Sequence, residues 1–554
     1  MLKISSPDKD SSTVFEPLVY FKGLTDPASV LFVNGDALRV YSTGAFAASV
    51  PLQEGLNELH VMHIAGRDTL RKRMVVVYEK PRPPQPTQGF AIDQVRVFPG
   101  GALWLMPGDL LQVEMKATPG NEAFFYKDIP LFEADTAGTG VAGIYRGEYT
   151  VRSSDTFNNE PILFRLRDRT TGTVVVAESN EQITVLSQPH SLTALTVGHQ
   201  TPLYYGLGTG RLGGAKMGYL DRSVKLEVTG KMSNMYRVRL AEQVQAYVPE
   251  NQLSLQKGVH FRPYSLTESW SVYSDSADDF VRIGLNERLP YTATVQHDPT
   301  RIVIDIYGAV SNSNWITQKE GLMAIRNVWY EQASKDIFRV YIELKDKQLW
   351  GYDVGYHGRQ LVIRVKPSPA SHSLRRLRVA VDAGHGGSNL GAKGMTGVLE
   401  KALNLSMALK LRAALEEAGA TVIMTRRDDR LVGNTNRLAM LREADPDILV
   451  SIHCNASRNP LVQGTSTYYR HQAYRPLSQY IHSEMLKLDM EDFGNVGGFN
   501  FILNAPTEFP SALVEVAFLS NPADEERLLD TGFQEAVAKS IVAGLRRFVR
   551  EAAE

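Results

Sequence analysis

The alternation of apolar and polar residues divides this chain into two regions of different period. Up to about residue 367, short alternating runs such as "RIVIDIYG" at 301–308 are separated by Gly, Asn, Asp and Pro. Such alternation is typical of half-buried β-strands. From residue 377, apolar strands such as "ILVSIH" alternate with segments whose apolar residues recur at helical spacing. The pattern predicts all-β modules followed by a C-terminal α/β domain, in which helices flank a mostly parallel, twisted sheet.

Turn and linker signals divide the β region further. Asn34-Gly35 between two apolar runs predicts a hairpin within an Ig-like β domain over 12–80. Four prolines between 81 and 86 predict a stiff linker. Regular short strands predict a β-sandwich over 90–187, and two further β units over 191–257 and 262–367. The segment "KPSPASHS" is a second linker, which leads into a last domain over 377–554.

Composition narrows the class of protein. A chain of 554 residues is too long for one core, and 43% hydrophobic with 22% charged residues is typical of a soluble globular protein. A net charge of −1 does not favour nucleic acid or an anionic membrane as the main partner. We expect no transmembrane segment. The first fifteen residues are polar and lack the apolar stretch of a secretory signal, as a mature or truncated chain also would. Cys454 is the only cysteine, which excludes an internal disulfide and thiolate metal clusters.

Polar side chains stand at the predicted ends of several strands in the last domain. His385 follows the first strand, His453 ends "ILVSIH", Glu515 lies within "ALVEVAF", and Glu400 opens the first helix. Ligands of such sheets bind beyond the carboxyl ends of the strands. Two histidines and one carboxylate form a ligand set of catalytic zinc sites, and a second carboxylate nearby can take a proton from water.

Each of these residues also has a simpler interpretation. His385 alone is more often a hydrogen-bonded core residue, and Glu400 alone is a helix-start carboxylate favoured by the helix dipole. The small residues around His385 allow a sharp turn and leave space for substrate. A phosphate-binding loop is the competing interpretation, but "VDAGHGG" has neither the Lys-Ser/Thr of a P-loop nor the glycine spacing of a dinucleotide fingerprint. An unpaired carboxylate in an apolar strand is costly, so Glu515 favours a functional role most strongly.

Four motifs occur in the order "VDAGHGG", "EKALNL", "SIHCNA" and "LVEVAFLSNPADEERL". Together they resemble the zinc-dependent N-acetylmuramoyl-L-alanine amidases of type 3, over about 378–550. The resemblance implies Zn²⁺ held by His385, Glu400 and His453, with Glu515 as the catalytic glutamate. Ala383 stands where proline is more usual in the family, which affects turn stiffness more than chemistry.

The resemblance also implies the reaction, which is cleavage of the amide between N-acetylmuramic acid and the L-alanine of the stem peptide. Two rivals remain open: an inactive wall-binding protein of the same fold, and a zinc peptidase acting on stem-peptide bonds. Asn404 and Asn455 are candidates for orienting the metal ligands or the loops around them.

Four further residues of the last domain have structural interpretations. Arg426 and Arg437 match arginines common in the family, and we interpret them as ion-pair formers. We expect His471 to lie in a surface loop and His482 to face solvent.

Two of the front units resemble known modules. The segment "MYRVRLAEQVQAYVPENQL" is similar to the close of a bacterial SH3-like barrel, and the strand pattern of 262–367 resembles an AMIN domain. We expect the front modules to position the enzyme on the envelope, through peptidoglycan or through envelope or division protein partners. The implied location is the periplasm or cell envelope.

Overall fold

The computed structural model describes residues 1–81, 85–186, 192–208, 213–256, 262–298, 300–370 and 373–552. Parts of the two predicted linkers (82–84 and 371–372) lie outside these described residues, as do the predicted domain limits at 187, 191, 257 and 554. The division predicted from the hydrophobic pattern is confirmed, because a mostly β region precedes a domain of helices and a mixed sheet.

The first unit consists of two facing sheets. Phe21, Phe46, Leu31 and Val76 are fully buried between them, as expected for strands that each turn one face to a shared core. Its first strand begins at Lys3, before the predicted limit at residue 12. The three-stranded sheet consists of Lys3–Ser6, Leu18–Leu24 and Ala45–Pro51, and the five-stranded sheet consists of Ser11–Val14, Asp68–Tyr78, Gly55–Ala65, Val30–Val33 and Asp36–Leu38.

The second and third units share a sheet, although the sequence pattern separates them. Leu103 pairs with Met232 and Trp104 with Lys231, so a strand of the second unit continues the sheet of the third. A seven-stranded sheet consists of Val174–Glu178, Leu163–Arg167, Glu122–Phe125, Ile129–Glu133, Ile144–Thr150, Leu110–Ala117 and Ile92–Phe98. The shared ten-stranded sheet consists of Asn158–Glu160, Ile183–Val185, Leu103–Leu105, Lys225–Met232, Met235–Ala241, Val244–Pro249, Thr201–Tyr204, Lys216–Leu220, Leu192–Thr196 and Leu253–Gln256. Short helices occur at Thr136–Thr139 and Glu250–Gln252.

A partly buried ion pair strengthens this junction. Arg237 donates from Nη1 and Nη2 to the two carboxylate oxygens of Asp109, at 2.8 and 2.5 Å. The rings of Trp104 and Tyr236 lie 5.5 Å apart beside it. A bidentate guanidinium–carboxylate pair fixes both distance and orientation, so the two units are held in one arrangement.

The fourth unit is a sandwich that shares one continuous apolar core with the third. One sheet consists of Ala309–Val310, Ser265–Ser274, Asp279–Leu285, Gln360–Val365 and Tyr352–His357, with Ile316–Gln318 beside it. The other consists of Tyr291–Gln296, Arg301–Tyr307, Ile337–Leu344 and Ile325–Ser334.

The last domain carries a six-stranded sheet, and its elements are numbered here within this domain alone. Its strands are β1 (Arg378–Ala383), β2 (Thr421–Met424), β3 (Ile448–Asn455), β4 (Thr465–Tyr468), β5 (Asp492–Val496) and β6 (Ser511–Phe518). Its helices are α1 (Glu400–Glu417), α2 (Asn434–Ala444), α3 (Arg475–Met485), α4 (Pro522–Leu529) and α5 (Thr531–Glu551), with 3-10 turns at Gln472–Tyr474, Leu486–Leu488 and Ile502–Asn504.

The sheet has the order β2-β1-β3-β6-β4-β5 and is parallel except where β4 runs antiparallel to β6. Helices α1, α3 and α5 cover one face, with a core that includes Val381, Val450 and Val514. Leu441 of α2 packs on the other face. Because β1, β3 and β6 are neighbours and parallel, their carboxyl ends meet at one edge.

The fourth unit packs directly against the last domain. Tyr352 N donates to Thr507 O at 2.8 Å, and Lys366 Nζ donates to Pro446 O at 2.8 Å. The rings of Trp350 and Phe548 contact each other at a tilt of 54°, with centroids 5.4 Å apart. In the described part of the chain, no helix combines the length and apolar composition needed to cross a bilayer.

Candidate metal centre

Three predicted ligands converge at the carboxyl edge of the sheet. His385 lies two residues beyond β1, His453 lies near the end of β3, and Glu400 is the first residue of α1. Glu400 Oε1 lies 3.1 Å from His385 Nε2 and 3.1 Å from His453 Nδ1. The ligand atoms of all three lie within 4.8 Å of one another. Two imidazole nitrogens and one carboxylate oxygen, gathered at one point, fit a catalytic zinc site.

Hydrogen bonds from the histidines act on Glu400. Burial alone would raise the pKa of this carboxyl, but the hydrogen bonds to His385 and His453 outweigh burial and lower the pKa. The carboxylate is therefore held in its charged form, which is the form that binds a metal.

The orientation of His385 depends on a residue that the sequence did not single out. Asn389 Oδ1 lies 2.9 Å from His385 Nδ1, and this contact orients the ring so that Nε2 faces Glu400. His385 has a φ of +62°, which is uncommon for a residue other than glycine. Its carbonyl oxygen accepts a hydrogen bond of 2.5 Å from Arg437 Nη2, and this contact fixes the strained turn.

The two asparagines predicted to orient the ligands or loops have different surroundings. Asn404 is fully buried on α1, and its Nδ2 donates to Glu400 Oε1 at 3.2 Å and to Gly384 O at 3.3 Å. Its Oδ1 accepts a weak bond from Cys454 Sγ at 3.5 Å. Asn455 Oδ1 instead accepts from Ala456 N at 2.8 Å. Asn404 therefore touches a ligand directly.

Glu515 lies beside the three ligands. It pairs in register with His453 on the neighbouring parallel strand, so the two side chains point to the same side of the sheet. Only 8% of Glu515 is exposed, and its Oε2 has no hydrogen-bond partner among the described residues. Burial raises the pKa of Glu515 to about 7, against the opposing charge of His453. Burying a carboxylate without a hydrogen-bond partner lowers the stability of the fold by roughly several kcal/mol. Its presence beside the ligands therefore indicates a catalytic role.

A buried ion pair supports the turn that carries His385. Arg437 of α2 pairs with Asp382 at the end of β1, and both are buried. Asp382 also accepts hydrogen bonds from Thr425 and Ser451, each at 2.6 Å. Burial alone would raise the pKa of Asp382, but the charge of Arg437 and the two hydroxyls outweigh burial and lower the pKa.

Arg426 forms no ion pair with any described residue, so the interpretation of it as an ion-pair former is wrong. It donates to the carbonyl oxygens of Ala383, Gly384 and Lys401 at 2.8, 2.9 and 2.8 Å. These carbonyl oxygens, at or just beyond the end of β1 and in the first turn of α1, take up the donors that an acidic partner would otherwise accept. Arg426 therefore ties the loop to the helix that carries Glu400.

The glycine before His385 makes room for the other histidine. A Cβ at Gly384 would overlap the ring of His453 at Nδ1, Cε1 and Nε2. From the sequence, the small residues are explained by the sharp turn and by space for substrate. The structure adds a third reason, which is that Gly384 leaves room for the ring of His453.

We expect Gly384→Ala to weaken zinc affinity by about 10- to 100-fold, the range found when the support of a ligand is lost. The added methyl group forces His453 away from Glu400. Competition with a zinc chelator of known affinity measures the change. Gly433→Ala is the matched control, because a Cβ there meets nothing within 4 Å; equal affinities for both variants would contradict the prediction.

A second buried glutamate holds the loop between His385 and Glu400. Glu525 of α4 is fully buried, and it accepts hydrogen bonds from Met395 N at 3.1 Å, Thr396 N at 2.9 Å and Thr396 Oγ1 at 2.7 Å. One side chain thus satisfies three donors of a loop without regular structure.

We expect Glu525→Gln to lower the free energy of opening of this loop by about 1.5–3 kcal/mol, because charge-assisted hydrogen bonds are replaced by weaker ones and one amide hydrogen faces a donor. Hydrogen exchange of residues 392–399 measures the effect. Glu535→Gln, on an exposed glutamate of α5, should leave that exchange unchanged. Unaltered protection in Glu525→Gln would show that the loop is held by other contacts.

Two other histidines of this domain lie outside the cluster. The expectation that His482 faces solvent is wrong: it is buried on α3, with Nε2 2.8 Å from Asp492 Oδ1 of β5. Strand β5 was not predicted, and it covers that face of α3. His471 is partly buried, with Nε2 2.9 Å from Ala505 O, and burial lowers its pKa to about 4.

Comparison with known proteins identifies the family of this domain. A family model described as N-acetylmuramoyl-L-alanine amidase matches residues 379–547. A probable cell wall amidase LytH of Staphylococcus saprophyticus is 30% identical over 203 residues, which are 36% of this chain and 68% of that protein. LytH of Staphylococcus aureus is 31% identical over 198 residues, 35% of this chain and 66% of that protein. The chain thus spans about two thirds of the length of these curated relatives.

Solved structures show similarity over 31% of the chain. The catalytic domain of the amidase CwlV from Bacillus (Paenibacillus) polymyxa is 34% identical, with coverage of 31% of this chain and 97% of that chain, at a TM-score of 0.30. The CwlD amidase of Clostridioides difficile, solved in complex with the GerS lipoprotein, is 29% identical, with coverage of 31% and 98%, also at 0.30. The family match and the LytH relatives carry the assignment: through its last domain, this chain belongs to the N-acetylmuramoyl-L-alanine amidase family.

Proposed function

We propose that this protein hydrolyses the amide bond between N-acetylmuramic acid and the L-alanine of the stem peptide in peptidoglycan, with zinc as its metal. The observation that carries the proposal is the convergence of His385, Glu400 and His453 within 4.8 Å, with the unpaired Glu515 beside them. When bound to these ligands, zinc supplies Lewis acidity that polarises a carbonyl and acidifies water.

The proposed work of the protein's own residues follows from their contacts. Glu515 Oε2 has no partner to satisfy it, so it accepts the proton of the attacking water and passes it to the departing alanine nitrogen. Asn389 and Asn404 hold His385 and Glu400 in the geometry that the reaction needs. Gly384, without a side chain, leaves room for the ring of His453.

Two alternatives have different observable consequences. An inactive wall-binding protein would have no need of a buried, unpaired glutamate beside intact ligands. A zinc peptidase would use the same metal chemistry on stem-peptide bonds. Similarity to proteins named as amidases favours the bond to the lactyl group.

Mass spectrometry of digested peptidoglycan tests the proposal. We expect intact stem peptides beginning in alanine, together with bare glycan strands. Activity should disappear with a chelator and return when zinc is added. Products cleaved within the stem peptide would instead establish the peptidase, and absence of products with zinc bound would establish the inactive protein.

The front modules are proposed to position the enzyme. We divide them into an Ig-like domain over 12–80, a β-sandwich over 90–187, an SH3-like barrel over 191–257 and an AMIN-like domain over 262–367, ahead of the catalytic domain over 377–554. Their proposed partners are peptidoglycan and envelope or division proteins, and a protein partner has a parallel in the complex of CwlD with a lipoprotein. The substrate places the enzyme in the periplasm or cell envelope.

A further inference from the structure

A groove with a volume of about 640 Å³ lies on the outer face of the seven-stranded sheet of the second unit. We call it the outer groove, and it is lined by Phe98, Gln112, Glu114, Phe132, Arg146 and Glu148. Strand pairing places these side chains in two adjacent rows. Phe98, Gln112 and Glu148 form one row, and Glu114, Arg146 and Phe132 form the other.

The two phenylalanines are not part of the core. Phe132 is 71% exposed and Phe98 is 43% exposed, whereas Val97 and Val113 on the opposite side of the same strands are buried. Large aromatic side chains left in water on a sheet whose other face already packs well are typical of recognition surfaces.

The side chains that lie between the two phenylalanines are polar and paired with one another. Gln112 Nε2 donates to Glu148 Oε1 at 2.7 Å, and Arg146 Nε donates to Glu114 Oε2 at 2.9 Å. Arg96 also lies 3.7 Å from Glu114. The charges on this face thus balance, which does not favour a polyanion such as nucleic acid.

The dimensions of the groove suit an extended polymer. Phe98 and Phe132 lie on strands that are three positions apart in the sheet, in the order Ile92–Phe98, Leu110–Ala117, Ile144–Thr150 and Ile129–Glu133. At roughly 4.8 Å between neighbouring strands, they are separated by about 14 Å across the sheet. The groove is therefore long enough for more than one ring of a linear ligand.

We propose that the outer groove binds the glycan strand of peptidoglycan, and this inference rests on the proposed function for the source of that strand. An amino-sugar ring has an apolar C–H face and an edge of hydroxyl and acetamido groups. The rings of the two phenylalanines can pack against the apolar C–H face of the sugar. Gln112, Glu148 and Arg146 supply hydrogen-bond donors and acceptors for its hydroxyl and acetamido groups. Recognition of a neutral, amphipathic polymer needs both kinds of group side by side, and the outer groove has them.

The test is binding of an N-acetylglucosamine hexamer to the full-length protein, measured by calorimetry. This probe lacks a stem peptide, so it is no substrate for the amidase. We expect the double variant Phe98→Ala/Phe132→Ala to bind at least tenfold more weakly than the parent. Phe15→Ala, which removes a 62% exposed phenylalanine from the first unit, should bind as the parent does. Phe132→Tyr, which keeps the ring, should also retain binding.

Failure of this inference differs from failure of the proposed function. Hydrolysis of a small soluble muropeptide should be equal in the parent and the double variant, because the groove is outside the catalytic domain. No hexamer binding by the parent, or equal binding by the double variant, would overturn the glycan site whatever the hydrolytic activity. Concentration-dependent dimers that the double variant abolishes, without sugar binding, would assign the groove to a second copy of the chain instead.

Discussion

Glu515→Gln should lower the turnover of peptidoglycan amide bonds by about 10²- to 10⁴-fold, the usual contribution of a positioned general base. The amide occupies the same space as the carboxylate but cannot accept a proton. Because Glu515 is not among the three converging ligands, zinc content should stay near that of the parent. Steady-state kinetics on a defined muropeptide, together with metal analysis of the same sample, measures both quantities.

Glu508→Gln is a matched control for this variant. Glu508 is also 8% exposed in the same domain, but it accepts a hydrogen bond of 2.6 Å from Arg442, outside the ligand cluster. Its substitution should affect stability and leave turnover within a fewfold of the parent. Retained turnover in Glu515→Gln would remove Glu515 from the mechanism. Lost zinc in that variant would assign Glu515 to metal binding.

Arg437→Met should destabilise the edge of the sheet that carries the ligands by about 3–5 kcal/mol, the cost of removing one partner of a buried ion pair. Methionine replaces much of the volume but leaves the carboxylate of Asp382 buried without its countercharge. The carbonyl oxygen of His385 also loses its donor. The free energy of opening, measured by hydrogen exchange over residues 378–385, should fall by that amount.

Arg412→Met supplies the comparison, since Arg412 pairs with Glu416 on the exposed side of α1. Surface ion pairs contribute about 0–1 kcal/mol to stability. Hydrogen exchange over residues 378–385 should therefore hardly change in Arg412→Met. Equal protection in the two variants would mean that Thr425 and Ser451 alone satisfy Asp382.

Much of the catalytic domain is predictable because its signals are local. Helix α1 begins at Glu400 and α2 covers 434–444, as their helical spacing predicts, and β3 carries His453 near its carboxyl end. The four predicted residues of the cluster come together because parallel neighbouring strands end at one edge. Strands β4 and β5 are short and rich in polar residues, so alternation does not reveal them.

The supporting contacts were not predictable from one sequence. The contact of Gly384 with His453 joins segments about seventy residues apart, and only the folded sheet brings them together. The same holds for Glu525, which reaches the loop from the far end of the domain. The pairing of Leu103 with Met232 crosses a predicted domain limit, and linker composition carries no information about it.

That pairing determines where the chain can be divided. A fragment that begins at residue 192 would leave Arg237 buried without Asp109 and would expose unpaired backbone at Lys231 and Met232. Open sheet edges recruit other strands, so such a fragment should self-associate. Truncations that keep residues 90–256 together avoid both problems. The second and third units should therefore be expressed as one fragment.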